Sequence, residues 1–292
     1  MTSFSDLKKN RQSTLQSLSS ELEKLNTKGG GQEDPRFWSV TRDKAGNGTA
    51  IIRFLPAPPT DEHPFTTYFR HSFQGPNGNW FIENCPTTLG KSFECPVCEH
   101  NRELWNTGVK SNQELVSKQK RRLVFVANVL VIKDPANPVN EGQVKLFKYG
   151  KKIHDKITDL MNPDEALGDE KVNPFDLWAG ANFKLIVRNV DRFPNYDKSS
   201  FEKSTPVSEN EKEMERIWKS EYSLVEFRDP KNFKSKEDLK AQLDRVLGAA
   251  PTRSAPTPVA APSVGKTVDE DTPPFEADED IDADFFKKMA EA

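Results

Sequence analysis

Residues Leu123–Ile132 read LVFVANVLVI, and this run decides the fold class. It is too short to cross a bilayer, which takes about 20 apolar residues. It is also nearly continuous in apolar character rather than alternating, as expected of a strand covered on both faces. Shorter β-rich segments surround it in sequence. Ala50–Leu55 (AIIRFL) precedes it, and Thr66–Phe73 places Phe69, His71 and Phe73 on one face and Tyr68, Arg70 and Ser72 on the other. Pro76-Asn77-Gly78-Asn79 reads as a turn leading into Trp80–Glu83, which predicts a hairpin. Gln143–Tyr149 and Phe183–Val190 continue the pattern, with a helix over Lys151–Met161. No strand–helix–strand repeat alternates along the chain, so a doubly wound parallel sheet is excluded in favour of a small antiparallel barrel or sandwich.

Outside this block the composition shifts. Residues 208–248 take helical spacing, with Ser235-Lys-Glu-Asp238 as a capping-box variant and Gly248 as a C-cap. Residues 249–268 are rich in Ala, Pro, Thr and Ser and read as a linker. Residues 269–284 are acidic, and Ile281, Phe285 and Met289 then fall on one helical stripe. At the other end, residues 1–30 form a polar arm with Leu15, Leu18, Leu22 and Leu25 at helical spacing and a hinge at Gly29-Gly30-Gly31. This divides the chain into an arm (1–30), a core (31–248) and a linker with tail (249–292).

The 292 residues are 30% charged and 35% hydrophobic, with a net charge of −3. No run approaches a transmembrane length and MTSFSDLKKNRQST has no apolar signal region, so the expectation is a soluble intracellular chain. The near-zero net charge hides an asymmetry. Residues 251–292 hold 4 basic and 10 acidic side chains, whereas 100–160 hold 12 basic and 6 acidic. A basic middle with an acidic tail points to a polyanionic ligand.

All three cysteines lie within 14 residues, at Cys85, Cys95 and Cys98. An odd, clustered set argues against a disulfide framework and for a metal site. Cys95-Pro-Val-Cys98 is a knuckle whose two thiolates reach one ion from a tight turn, and Cys85 supplies a third sulfur. Among the histidines, His100 sits too near Cys98, His63 lies in a polar loop and His154 in a distant helix. The hairpin carries His71 to Cys85, so His71 is the expected fourth ligand, in the pattern H-x₁₃-C-x₉-C-x₂-C. The expected ion is a single structural zinc. Gly90-Lys91-Ser92 imitates the end of a phosphate-binding loop, but its first glycine position is occupied by Cys85, which excludes nucleotide binding there.

Lys118, Lys120, Arg121 and Arg122 lead into the central run; Lys145, Lys148, Lys151 and Lys152 follow it. Trp105, Phe125, Phe147, Tyr149, Phe193 and Tyr196 interleave with these cations. Rings plus cations suit single strands, because unpaired bases have open faces for stacking and phosphates need only positive charge. The competing reading, that the rings are core and the lysines a solvated face, is strongest for Phe125 and weakest for Tyr196.

Taken together, several stretches resemble the single-stranded DNA-binding (helix-destabilising) proteins of T-even-type tailed bacteriophages. They are Ala45-Gly-Asn-Gly, AIIRFLP (50–56), the His71/Cys85/Cys95/Cys98 set, Ala127–Pro135, Asn140-Glu-Gly, Gly150-Lys-Lys-Ile, Gly180-Ala-Asn-Phe and Asn195-Tyr-Asp. The resemblance spans roughly residues 40–200. It implies an OB-fold core with an inserted zinc subdomain at about 60–115 and a groove between them. It also implies zinc on His71, Cys85, Cys95 and Cys98, a basic triplet at Lys120, Arg121 and Arg122, and groove rings at Trp105, Phe125, Phe147, Phe193 and Tyr196. The chain departs from that pattern at Leu115 and Val126, where the family has a tyrosine and a tryptophan, and Tyr149 and Trp80 are the candidate replacements. By the same resemblance, Lys8, Lys9, Arg11, Ser13 and Thr14 bind the next protomer along the strand, and the acidic tail recruits replication and recombination proteins. The implied function is non-catalytic, cooperative, sequence-independent single-stranded DNA binding in phage replication, recombination and repair, in the cytoplasm of the infected bacterium. The alternative is a zinc-containing RNA-binding translational regulator. A metal-dependent nuclease is disfavoured, because no carboxylate-rich motif accompanies the ligands.

Overall fold

The computed structural model describes residues 34–164, 170–191 and 193–248. The chain divides into a unit of residues 1–37 and a unit of residues 38–292. In the described part of the first, Asp34 accepts hydrogen bonds from the Arg36 backbone N–H and guanidinium, both at 3.0 Å.

The strands are β1 (Phe37–Trp38), β2 (Gly48–Phe54), β3 (Phe65–Gln74), β4 (Trp80–Asn84), β5 (Arg122–Lys133), β6 (Val144–Tyr149), β7 (Ala181–Val190), β8 (Phe193–Asn195) and β9 (Ser200–Ser204). The helices are α1 (Pro96–Asn106), α2 (Lys110–Gln119), α3 (Lys151–Met161), α4 (Glu211–Lys219) and α5 (Lys236–Leu247). The LVFVANVLVI run is the middle of β5, whose eight residues from Val124 to Val131 are all buried. It organises the sheet. One edge of β5 pairs with β6, from Phe125 opposite Tyr149 to Leu130 opposite Val144. The other edge is shared: its first half takes β3, with Ala127 opposite Phe65, and its second half takes β2, with Val129 opposite Phe54. The β2–β7, β3–β4, β7–β8 and β7–β9 pairs extend the arrangement, and every pairing described is antiparallel.

Asn128 sits where β2 gives way to β3 along that edge. Its carbonyl accepts from Leu55 N–H at 3.1 Å, and its buried amide brackets Tyr222, accepting from Tyr222 N–H and donating to Tyr222 O. Such a satisfied buried amide anchors the 220s segment without an unpaired-group penalty.

The largest core cluster is aromatic. Phe54 lies at its centre, with the rings of Tyr149, Phe175, Phe183, Phe147 and Phe201 between 5.6 and 6.4 Å away. Arg53, next along β2, is fully buried. It donates to Asp176 O at 2.9 Å and Thr205 O at 2.7 Å, tying two loops to the sheet. A second cluster joins Phe73, Phe81, Cys85, Cys95 and Val97 to Leu239, Leu243 and Val246 of α5. The last helix therefore belongs with the cysteine-bearing segment, far from it in sequence. Gly75 allows this approach, because a Cβ there would lie 2.1 Å from Val246 O.

The strand and helix readings match within two residues. Lys151–Met161 is helical throughout, Ser235 caps α5 by accepting from Asp238 N–H, and Gly248 ends it at φ 78°. Residues 208–248 form two helices rather than one continuous stretch, separated by single 3₁₀ turns at Val225–Arg228 and Pro230–Asn232. Helices α1, which carries Cys98, and α2 precede β5 and are additions to the sequence reading. Among the described residues, no helix is long and apolar enough to cross a membrane.

Candidate metal centre and nucleic-acid interface

The β3–β4 hairpin opposes His71 to Glu83, two residues before Cys85. Cys85 extends the ladder, its N–H donating to Phe69 O at 2.8 Å, and then starts a 3₁₀ turn over Pro86–Leu89. Cys95 is the N-cap of α1, with Pro96 in the first helical position, and Cys98 lies in the first turn. A knuckle here sets both sulfurs against the positive end of the helix dipole, which favours thiolates.

The four donor atoms of His71, Cys85, Cys95 and Cys98 lie within 4.8 Å of one another. His71 Nε2 is 3.5 Å from the Sγ of both Cys95 and Cys98, and Cys85 Sγ is 3.7 Å from Cys98 Sγ. A tetrahedral zinc with thiolate legs of about 2.3 Å and an imidazole leg of about 2.0–2.1 Å requires S–S edges of about 3.8 Å and N–S edges of about 3.5 Å. These three edges match those values. Nδ1 of His71 lies 3.0 Å from the Gln119 carbonyl. With Nε2 turned to the sulfurs, Nδ1 carries the proton and donates to that carbonyl, as the outer nitrogen of a metal-bound histidine commonly does.

The crowded sulfurs also shape protonation within the cluster. Burial works against charge on His71, but the Cys85 and Cys95 sulfurs outweigh it and hold the imidazole at about 9. Contacts with Cys95 and Cys98 drive the Cys85 thiol well below the usual range, while contacts with Cys85 and Cys95 push the Cys98 thiol far above it. Three sulfurs this close cannot all ionise without a positive partner. The competing histidines lie elsewhere. His63 is exposed in a loop, His100 is half-buried on α1, and the His154 ring stacks on Phe125 at 3.9 Å.

The basic run borders this cluster. Lys118 is exposed in the last turn of α2, Lys120 is buried, and Arg122 opens β5 opposite Arg70. The Arg121 guanidinium lies over the Phe69 ring, 4.1 Å from its centroid, and donates to Thr87 Oγ1. Lys145 and Lys148 are half-buried on β6, and Lys151 and Lys152 are exposed in the first turn of α3, where Lys151 pairs with Asp155 at 2.8 Å.

The rings divide into two groups. Trp105 on α1 and Tyr196 are half-buried, Trp80 likewise, and Phe193 is 56% exposed. Phe125, Phe147 and Tyr149 are 5%, 5% and 1% exposed. They are core side chains, and the expectation that they stack on bases is corrected. Phe125, Ala127 and Val129 share one face of β5, and the β5–β6 register brings Phe147 and Tyr149 to that same face, against Phe54 and Trp38. Of the two departures, Leu115 is exposed and Val126 is fully buried. Lys8, Lys9, Arg11, Ser13 and Thr14, and the Ile281/Phe285/Met289 stripe, lie outside the described residues. Sequence reasoning missed Thr87, Phe69 and Gln119. Gln119 acts through its backbone carbonyl, which leaves no signal in residue type.

An antiparallel sheet protein whose Cys₃His cluster could hold a metal ion and adjoins a run of cations is, as a class, a β protein with a candidate metal centre beside a basic segment. The family follows from comparison: a family profile described as "gp32 DNA binding protein like" matches residues 46–247, and the chain belongs to that family. It is 38% identical to the single-stranded DNA-binding protein of Enterobacteria phage T4 over 265 residues, covering 89% of this chain and 86% of that protein. The single-stranded DNA-binding protein of Enterobacteria phage T2 is likewise 38% identical over 266 residues, with the same coverage. One from Escherichia phage SV14 is 41% identical over 104 residues, covering 34% of this chain and 90% of that protein.

Proposed function

We propose that this chain is a non-catalytic, sequence-independent single-stranded DNA-binding protein. It serves phage DNA replication, recombination and repair in the cytoplasm of the infected host. Phosphates are taken by Lys118, Lys120, Arg121, Arg122, Lys148 and Lys151, and bases stack on Trp105, Phe193 and Tyr196. The core adopts an OB-fold over 31–248 with a zinc subdomain at about 60–115. One structural zinc is held by His71, Cys85, Cys95 and Cys98, and when bound it supplies folding energy rather than chemistry. Residues 1–30, with Lys8, Lys9, Arg11, Ser13 and Thr14, contact the neighbouring protomer, and the tail at 249–292 recruits replication and recombination proteins.

The observation that best supports this reading is the adjacency of the ligand cluster and the basic run: His71 Nδ1 lies 3.0 Å from the carbonyl of Gln119, the residue before Lys120-Arg121-Arg122. A binder of unpaired strands alone holds them open by mass action, and tethered neighbour contacts raise coverage without new DNA contacts. The relatives above are named for single-stranded DNA, and no observation favours the RNA alternative. Titrating poly(dT), poly(U) and duplex DNA at several salt concentrations, with zinc quantified, tests the reading. Preference for poly(dT), weakening steeply with salt, and one zinc per chain are expected; equal affinity for duplex, or preference for poly(U), refutes it.

A further inference from the structure

The Thr87 side chain occupies a position that the proposed function leaves unexplained. Its hydroxyl oxygen accepts from Arg121 Nη1 on one side and lies 3.1 Å from Cys85 Sγ on the other. Donor chemistry fixes the direction of the first bond. A guanidinium only donates, so the hydroxyl must accept from it. The hydroxyl keeps its proton and a second lone pair, so it can meet the Cys85 sulfur as donor or as acceptor. Thr87 therefore relays between a cysteine of the cluster and a cation of the basic run. The turn that carries it is well fixed: Thr88 Oγ1 donates to Cys85 O at 2.8 Å and accepts from Phe69 N–H at 2.9 Å, and Arg228 donates to Thr88 O at 3.0 Å.

The same short segment, Gln119–Arg121, is held at a second point. His71, whose Nε2 faces Cys95 and Cys98, reaches the Gln119 carbonyl through Nδ1. The cluster thus touches the basic run both at Gln119 and at Arg121. Phe69, from the same strand as His71, supports the flat face of the Arg121 guanidinium.

We infer that Thr87 is a positioning residue for DNA binding: bridging the Cys85 sulfur and the Arg121 guanidinium, it holds this cation in place for a phosphate. This rests on the proposed reading of Arg121 as a phosphate contact and of the cluster as a metal site. An arginine already ordered loses less rotamer freedom when a phosphate arrives.

The test uses the full chain, with zinc loaded, and four variants: Thr87→Val, which keeps the shape and removes the hydroxyl; Thr87→Ser, which restores it; Arg121→Ala; and the Thr87→Val/Arg121→Ala double variant. The readouts are affinity for a short oligo(dT) at several salt concentrations, zinc per chain, and the sulfur-to-metal charge-transfer band of the cobalt-substituted protein. Thr87→Val is expected to keep one zinc per chain, to shift the cobalt band through loss of the bond to Cys85, and to weaken oligo(dT) binding about three- to tenfold. Thr87→Ser is expected to recover both readouts, and the double variant to bind no more weakly than Arg121→Ala alone. Wild-type affinity in Thr87→Val while Arg121→Ala is weakened overturns the inference and leaves the proposed function standing. Wild-type affinity in Arg121→Ala overturns the assignment beneath it. Loss of zinc from Thr87→Val also overturns the inference, since Thr87 would then support the ligand and not the guanidinium.

Discussion

Replacing Cys95 by serine removes one of the four donors and substitutes a hydroxyl, which is a poor ligand where a soft thiolate was. A structural zinc site contributes on the order of 10 kcal/mol to folding. That rivals the whole stability of a typical domain, about 5–15 kcal/mol, so the loss cannot be absorbed silently. The distribution of the ligands decides where it appears. His71 and Cys85 are buried, Cys85 and Cys95 belong to the second core cluster, and none of the four belongs to the aromatic cluster around Phe54. The expected result is unfolding of the segment from Asn84 to Gln119, with α5 released from Phe73 and Phe81, while β2, β5, β6 and β7 stay paired. Limited proteolysis with fragment masses, alongside zinc quantification, reads this directly. Cys95→Ser should hold less than one zinc per chain and be cut within 84–120 at a protease dose that spares the wild type. A variant that keeps one zinc per chain and digests like the wild type would refute the ligand assignment and the separation of the two cores.

Further expectations follow from individual side chains. The Tyr149 hydroxyl is buried with no hydrogen-bond partner among the described residues, and burial pushes its phenol up; Tyr149→Phe removes an unsatisfied group and should raise stability by about 1 kcal/mol or more, with oligo(dT) affinity unchanged, and a clear loss of affinity would return this ring to the binding surface. Glu221 is raised to about 9 by burial and then by Asp61, and among the described residues both its carboxylate oxygens lack hydrogen-bond partners. A raised carboxylate favours the fold only where it stays protonated, so this contribution is full below about pH 4.5 and is lost as pH rises towards 9. Glu221→Gln should therefore stabilise the protein at pH 7 by on the order of 2 kcal/mol and have little effect near pH 4; denaturant midpoints at the two pH values decide, and equal shifts at both would contradict the assignment. Deleting residues 1–14 should leave short-oligonucleotide affinity intact and reduce clustering on long poly(dT), and undiminished cooperativity would rule out the arm.

Much of this protein was legible from spacing alone. A run of ten residues without alternation can only be a strand covered on both faces or a helix, and its β-branched content selects the strand; β5 follows. Three cysteines and one hairpin histidine were enough to name the Cys₃His set, because a turn and a two-strand ladder transmit sequence spacing into distance almost directly. The rings were less legible, since an aromatic side chain suits a core and a stacking surface equally well. Only the β5–β6 register showed that Phe125, Phe147 and Tyr149 share the face turned to Phe54, while Phe193 stays outside. The joining of α5 to the cysteine-bearing core, across more than a hundred residues, was likewise decided by packing, through a close approach that only Gly75 permits. The link from His71 and Cys85 to the basic run passes through a backbone carbonyl at Gln119 and one hydroxyl at Thr87. Every residue has such a carbonyl and many have such a hydroxyl, so nothing in the order of side chains marks these two; the folded backbone alone brings them within hydrogen-bond reach.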